Sequence, residues 1–276
     1  MPLEDEFGDI VAKARAGRNM SARQLAAAAG LSEHEIDAIE SYRLTPQEEA
    51  IRRLADSLGL DARKLVDIAH SSWLPKSGRE VSSSVVIRRA HALLGTYVEN
   101  AYVIGCAKSA RGAVVDPGGA VDVIEQYLSA NELELSMILI THGHADHIGG
   151  LHQLTGAHPG VTVMCSEVER ESVMRGVKAA WRAAEDGSKI ALGQLNITPL
   201  IIPGHTAGSV CYLVDAICFV GDTLFAGSIG RPTRDYEGML KAIQSKILSL
   251  PDETVLLPGH GPPSTVGEEK AHNPFF

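Results

Sequence analysis

Through residue 70 apolar side chains recur every three or four positions, Ala and Leu abound, and β-branched runs are scarce, which predicts helices. A first helix is expected over Ile10–Arg18. Ser21 stands where it can cap a second over Ala22–Ala29, which Gly30 ends. Ser32 precedes a third, with Glu35 three residues on completing a capping box and Ile36 and Ile39 turned inward. Thr45-Pro46 opens a fourth through Leu58-Gly59, and Asp61 caps a short fifth.

From Val85 the period changes. Short β-branched runs occur at Tyr102–Ile104, Ala113–Val115, Met137–Thr141, Val161–Cys165, Ile197–Ile202, Val210–Val214, Ile217–Val220 and Thr254–Leu257. Helical stretches are expected between them at Ala120–Ser129, Glu167–Ala184 and Tyr236–Leu248. Ser71–Ser84, rich in Ser and broken by Pro75 and Gly78, has the composition of a linker. The expected organisation is a helical domain over residues 1–70, a linker over 71–84 and a layered α/β domain over 85–276. In such a layered domain the site lies outside the strand ends.

Composition narrows the function. With 45% apolar and 21% charged residues in 276, the chain has the make-up of a globular protein. No apolar run approaches the ~18–20 residues that span a bilayer, and Met1–Glu6 is acidic with no apolar stretch of a secretory signal. A cytoplasmic protein is expected, with no membrane partner. The net charge of −9 argues against a general nucleic-acid or anionic-membrane binder, since phosphate is held mainly by Lys and Arg. Cys106, Cys165, Cys211 and Cys218 show no C-x-x-C spacing and read as small buried apolar residues.

The histidines are unevenly spread. Thr141-His142-Gly143-His144-Ala145-Asp146-His147 follows the apolar strand that ends at Ile140 and packs three imidazoles and a carboxylate into six residues. Such a cluster is a poor core and an odd surface, whereas a divalent metal accounts for it. His142 and His144 can point one way, with Asp146 and His147, at the start of a helix, reaching a second position. Further donors stand beside Gly at later strand ends: Pro203-Gly204-His205-Thr206, Gly221-Asp222-Thr223 and Pro258-Gly259-His260-Gly261. Five histidines and two aspartates suffice for two adjacent ions. His34, His70, His91, His152, His158 and His272 read as ordinary hydrogen-bonded or exposed side chains.

T-H-x-H-x-D-H, P-G-H-T, G-D-T-L-F and P-G-H-G, in this order, resemble the metallo-β-lactamase fold superfamily and, within it, its short glyoxalase II-like hydrolases. The resemblance implies an αββα sandwich. It also implies one metal on His142, His144, His205 and Asp222, and a second on Asp146, His147, His260 and the bridging Asp222. Asp116 matches a position that supports the ligands. Two divalent metals, zinc first and iron or manganese next, would lower the pKa of a shared water towards ~7. That hydroxide would attack the carbonyl of a small-molecule thioester of the hydroxyacylglutathione type, with Asp146 and Asp222 as the catalytic carboxylates.

The terminal Asn273-Pro274-Phe275-Phe276 lacks the Arg that closes longer glyoxalase II chains, and Pro232-Thr233-Arg234 replaces the Thr-Asp-Phe expected after Gly230-Arg231. Arg231 and Lys270 are the candidates for an anionic substrate. Three rivals accompany this reading: a persulfide dioxygenase with one Fe2+ on His142, His205 and Asp222, a lactonase, and a transcriptional regulator with a ligand-sensing lactamase-like domain.

The last rival rests on residues 8–70, whose five short helices and Gly turn resemble the Cro/C1-type helix-turn-helix domain. Yet the third helix, Ser32–Glu40, carries four acids and no Lys or Arg, and residues 1–70 hold nine basic against thirteen acidic side chains. A groove-reading helix needs the reverse. A module that dimerises the chain or covers the active site is expected instead, with a homodimer by analogy and no DNA partner.

Overall fold

Capping chemistry sets most of the helix boundaries in the first seventy residues. The computed structural model describes residues 2–76, 85–94, 97–106 and 108–276, so the later part of the expected linker, residues 77–84, lies outside the described residues. α1 (Phe7–Gly17) begins earlier than its apolar period suggests, because Glu6 and Asp9 form a capping box. α2 (Ala22–Ala29) and α3 (Glu33–Glu40) carry the Ser21–Gln24 and Ser32–Glu35 boxes. α4 (Glu48–Leu58) starts past Thr45-Pro46, with Gln47 at its cap, and α5 (Ala62–Ala69) is capped by Asp61, whose side chain accepts from Lys64 N.

The strands form two six-stranded sheets. In the first, β1 (Val85–Leu94), β2 (Tyr97–Cys106), β3 (Arg111–Val115), β4 (Glu134–Leu139), β5 (Thr162–Cys165) and β6 (Ala180–Ala183) lie in chain order. β1 to β3 run antiparallel, and β3 to β6 are parallel. α6 (Val121–Ala130), α7 (Ala145–Ile148), α8 (Leu151–Ala157) and α9 (Arg170–Val173) fall between these strands. The second sheet draws on β7 (Ile190–Leu192), β8 (Leu195–Ile201), β9 (Val210–Val214) and β10 (Ile217–Gly221). A small hairpin follows, β11 (Leu224–Phe225) with β12 (Ser228–Ile229), and then α10 (Tyr236–Lys246), β13 (Val255–Pro258), β14 (Ser264–Thr265) and α11 (Val266–His272). Its order is β14-β13-β10-β9-β8-β7.

Alternation along the strands sends side chains to both faces of each sheet. Tyr102, Ile104, Val115 and Leu139 of the first sheet meet Val210, Tyr212, Phe219 and Leu257 of the second in one buried layer. The outer face of the first sheet packs Val103, Val114, Ile138 and Val163 against Ile124 and Leu128 of α6 and Leu154 of α8. The outer face of the second packs Cys211, Cys218, Val220 and Leu256 against Met239 and Ile243 of α10. The result is an αββα sandwich.

The helical domain joins that last layer. Ile10, Leu25, Leu54, Leu58 and Leu65 belong to the same continuous core as Met239 and Val266, each side chain contributing about 1.5–3 kcal/mol by leaving water. Polar contacts reinforce the seam: Lys64 donates to the carbonyls of Lys270 and Phe276, and Asp61 N donates to Pro274 O at 2.8 Å. All four cysteines are buried and free. Among the described residues no helix is long and apolar enough to cross a membrane.

One expectation is corrected. The helix foreseen over Glu167–Ala184 is a 3-10 turn at Glu167–Glu169 and one turn of α9, after which residues 180–183 form β6. Gly176, at φ +74, turns the chain, and β6 pairs in parallel with β5, Trp181 beside Val163. Helix-favouring Ala and Arg are overridden by an open sheet edge. β1, β7, β11, β12 and β14 also form where no strand was anticipated; they are short or carry mixed polarity.

Two tyrosines pin the sheets together near the loops that follow β4 and β13. Tyr212 on β9 donates to Ile140 O at 2.9 Å, and Tyr102 on β2 donates to Pro258 O at 2.6 Å. Burial pushes the Tyr212 phenol well above its ordinary pKa, so it stays a neutral donor. Tyr212→Phe removes a buried donor and is expected to cost about 1–2 kcal/mol. Denaturant unfolding of the metal-free protein measures this; an unchanged midpoint and slope would remove the pin from the account.

Candidate metal centre

The polar loops at one edge of the two sheets converge. The loop after β4 brings His142 and His144, α7 brings Asp146 and His147, the turn after β8 brings His205, the end of β10 brings Asp222 and the loop after β13 brings His260. His144 Nδ1 lies 2.9 Å from His142 Nε2 and 3.1 Å from His205 Nε2. A tetrahedral ion with bonds of about 2.0–2.1 Å holds its nitrogens about 3.3 Å apart, so this triad is already close to a coordination face.

The second group lies alongside. His260 Nε2 is 3.3 Å from Asp146 Oδ2, and His147 Nε2 is 3.9 Å from the same oxygen. Asp222 stands between the groups, with Oδ1 3.4 Å from His147 Nε2 and Oδ2 3.6 Å from both His205 Nε2 and His260 Nε2. Donor atoms of His142–His144–His205, of His142–His147–Asp222 and of Asp146–His147–His260 each fall within 4.8 Å of one another. His147 Nε2 and Asp222 Oδ1 are buried and have no hydrogen-bond partner among the described residues. Orphaned atoms of this kind are costly unless something binds them. A cation between them fits.

Each inward-facing nitrogen is set by what its ring holds on the other side. The Thr141 hydroxyl donates to Asp116 Oδ2 at 2.6 Å and so accepts from His142 Nδ1 at 3.0 Å. Asp116 Oδ2 also takes His147 Nδ1 at 3.0 Å, while its Oδ1 accepts from Thr141 N. His205 Nδ1 donates to Arg231 O, and His260 Nδ1 to Val98 O at 2.9 Å. Four rings therefore aim Nε2 at the centre, the orientation that metal-bound histidines need; on His147 and His260 that nitrogen must first give up a proton. His144 alone turns its Nδ1 inward.

Close backbone packing brings the loops together. Gly259 adjoins Asp222 and His147, and a Cβ there would lie 2.6 Å from His147 Cε1. Asn100 on β2 clamps the same loop, its side chain donating to Pro258 O and Gly261 O at 3.1 and 3.0 Å. Gly143 N donates to Glu169 Oε2 at 3.1 Å, which tethers the His142–His144 turn.

The electrostatics have a consistent sense. Burial, helped by neighbouring His147, holds His142 well below the ordinary histidine range, and burial also lowers His205. Both are neutral donors. Burial opposes ionisation of Asp222, yet His147 and His142 keep its carboxyl well below the usual range. A hydrogen bond from His260 lowers Asp146. Burial likewise opposes charge on His147 and His260, but Asp222 and Asp116 carry the first well above its ordinary value, and Asp146 with Asp222 carries the second to about 9. Without a metal, protons occupy the place of a cation.

Two further candidates separate. Arg231 lines the cavity over the centre together with Asp146, His205, Asp222 and His260. Lys270 does not: it sits on α11 with its ammonium 2.7 Å from Asp252. Glu99, not anticipated from sequence, is buried 3.9 Å behind His147 Nδ1 with both oxygens unpartnered among the described residues, and burial raises its pKa well above the ordinary value. A carboxylate inside the apolar run of β2 was its only signal. The role of Thr141 was legible only as the residue before His142.

The chain resembles known proteins along most of its length. Residues 94–260 match the metallo-beta-lactamase superfamily, and residues 6–67 match a helix-turn-helix domain. The chain is 33% identical over 184 residues to the hydroxyacylglutathione hydrolase GloC of Haemophilus influenzae, covering 59% of this chain and 86% of that protein. Among solved structures, TTHA1623 in a di-iron-bound form is 31% identical with a TM-score of 0.57, covering 68% of this chain and all of that one. ETHE1 from Myxococcus xanthus is 28% identical with a TM-score of 0.59, covering 68% and 83%.

Metal uptake must displace the protons on His147 and His260. A histidine raised to about 9 holds its proton at neutral pH and releases it as the pH climbs. Apparent zinc affinity is therefore expected to rise by ~10- to 100-fold per pH unit between about pH 6 and 8. Chelator-competition titrations in several buffers measure it, and a flat profile would contradict the proton-for-metal exchange.

Proposed function

The chain belongs to the metallo-beta-lactamase superfamily, and we propose that it is a cytoplasmic binuclear hydrolase of small thioesters, close to the glyoxalase II-like branch. The observation that carries this reading is Asp222 set between two complete donor groups. In the proposal His142, His144, His205 and Asp222 hold one ion, and Asp146, His147, His260 and Asp222 hold the other, with zinc the first choice. Such a pair, when bound, polarises an acyl carbonyl and makes hydroxide available near neutral pH.

The remaining work falls to the protein. Asp116 and Thr141 keep His147 and His142 in the tautomers that face the centre, and Asn100 fixes the loop of His260. Asp146 is partly exposed and accepts from His260, so it is the carboxylate best placed to take the proton that the attacking water loses. Hydrolysis forms a C–O bond and breaks the C–S bond, and that proton ends on the departing thiolate. Arg231, exposed at the cavity edge, is the substrate-facing cation of the reading.

A single-iron persulfide dioxygenase is the second reading. It finds support in His205 Nε2 lying 3.6 Å from Asp222 Oδ2, with His142 within 4.8 Å of each, and in the likeness to ETHE1. One ion, however, leaves the Asp146–His147–His260 group without a role, which favours two. Lactone hydrolysis needs the same nucleophile and differs only in substrate.

Elemental analysis, an oxygen electrode, and a panel of thioesters, lactones and glutathione persulfide separate these. Near two metals per chain and thioester turnover without oxygen uptake are expected, and His205→Ala or Asp222→Ala should remove metal and lower kcat/KM by at least ~100-fold. One iron per chain with oxygen consumed on persulfide would replace hydrolysis with oxygenation.

A further inference from the structure

The cavity over the metal centre, about 490 Å³, is not built by the catalytic domain alone. Beside Asp146, Asp222 and His260 it is lined by Glu4, Asp9 and Tyr42, all from the amino-terminal part of the chain. Those residues are held there by contacts to the site itself. Lys13 on α1 pairs with Asp5 and donates to Ile229 O at 2.8 Å, two residues before the Arg231 carbonyl that orients His205. Gly261, at φ +73 and next to His260, has Glu4 packed against it: a Cβ there would stand 2.9 Å from the Glu4 Cβ.

Tyr42 belongs to the same wall. It sits at φ +61, a left-handed conformation that bulky side chains rarely adopt, yet it is 60% exposed and so gains little from burial. Its hydroxyl donates to Asp9 Oδ1 at 2.5 Å. The turn that ends α3, in which Arg43 N donates to Ala38 O at 2.8 Å, sets that conformation and places Tyr42 on the cavity wall.

The charges of this wall do not cancel. Asp5 and Lys13 neutralise one another. Glu4 has no ion-pair partner among the described residues, and Asp9 accepts only from neutral donors, the Tyr42 hydroxyl and Glu6 N. Apart from the proposed ligands, Arg231 is the one lining cation without an ion pair among the described residues. Two acids against one base leave the entrance negative, while the bound ions would keep the floor positive.

Resting on the reading of a hydrolytic metal centre, we propose that the helical domain is the specificity wall of this active site, with Glu4 and Asp9 selecting substrates whose projecting end is cationic. Polyanionic thioesters, such as those of phosphate-bearing thiols, are disfavoured. Selectivity of this kind is a difference of affinities, produced as much by repulsion of the wrong charge as by attraction of the right one. It also gives a helix-turn-helix pattern with an acidic third helix a use that needs no nucleic acid.

The test uses the full-length zinc-loaded protein and three short thiols that differ in the charge of the far end: cysteamine, N-acetylcysteamine and 3-mercaptopropionate. Calorimetric titration at about pH 8 is expected to give cysteamine at least ~5-fold tighter binding than 3-mercaptopropionate. Glu4→Gln, at an exposed side chain with no hydrogen bond, and Glu4→Gln with Asp9→Asn should each reduce that ratio, the pair by ~5-fold or more, with N-acetylcysteamine changed less than about twofold. A ratio unaltered in Glu4→Gln, or equal weakening of all three thiols, would overturn the proposal. The acyl thioesters of the same thiols are assayed in parallel. Charge-ranked binding with no turnover of any thioester would sink the thioester reading and leave the wall standing; turnover with no charge ranking in binding would do the opposite.

Discussion

Five imidazoles and two carboxylates within a few ångströms of each other are a repulsive assembly unless something positive sits among them. Asp222 is the centre of that constraint: it is buried, ionised, and within 3.6 Å of nitrogens from both donor groups. An unpaired buried charge costs several kcal/mol, so the fold must either admit a cation or hold protons in its stead. The raised pKa values of His147 and His260 record the second option, and the orphaned Nε2 and Oδ1 atoms mark the place for the first.

Much of the surrounding architecture keeps that arrangement from relaxing. The reciprocal tyrosine contacts, Tyr212 to the carbonyl before Thr141 and Tyr102 to the carbonyl before Gly259, lock the first and second sheets at the edge where the loops meet. Asp116, itself at φ +47, fixes the turn after β3 so that one carboxylate serves Thr141 and His147 together. Donors held this firmly keep their arrangement without an ion among them. The helical domain shares its core with the outer layer of the sandwich, which brings Glu4, Asp9 and Tyr42 to the cavity.

The centre was legible in the sequence because its donors are local or stand beside Gly at strand ends, and His142 to His147 fall within six residues. The helix caps were legible for the same reason: Ser21, Ser32 and Asp61 act on neighbours three residues away. What escaped depends on distant partners. β6 exists because β5 offers it an edge, against the helical preference of its own residues. Glu4 and Tyr42 meet His260 and Arg231 only through packing of one domain on another, which leaves no local pattern. Lys270 looked like a substrate contact because it is a cation near a terminal motif, whereas α11 directs it to Asp252.

Anomalous diffraction from crystals of the protein as purified, recorded at the absorption edges of zinc and iron, decides whether Asp222 lies between two ions. Two peaks about 3.5–4 Å apart are expected, flanking Asp222, one beside His142, His144 and His205 and the other beside Asp146, His147 and His260. A lone peak with the second group empty, or peaks away from Asp222, would contradict it.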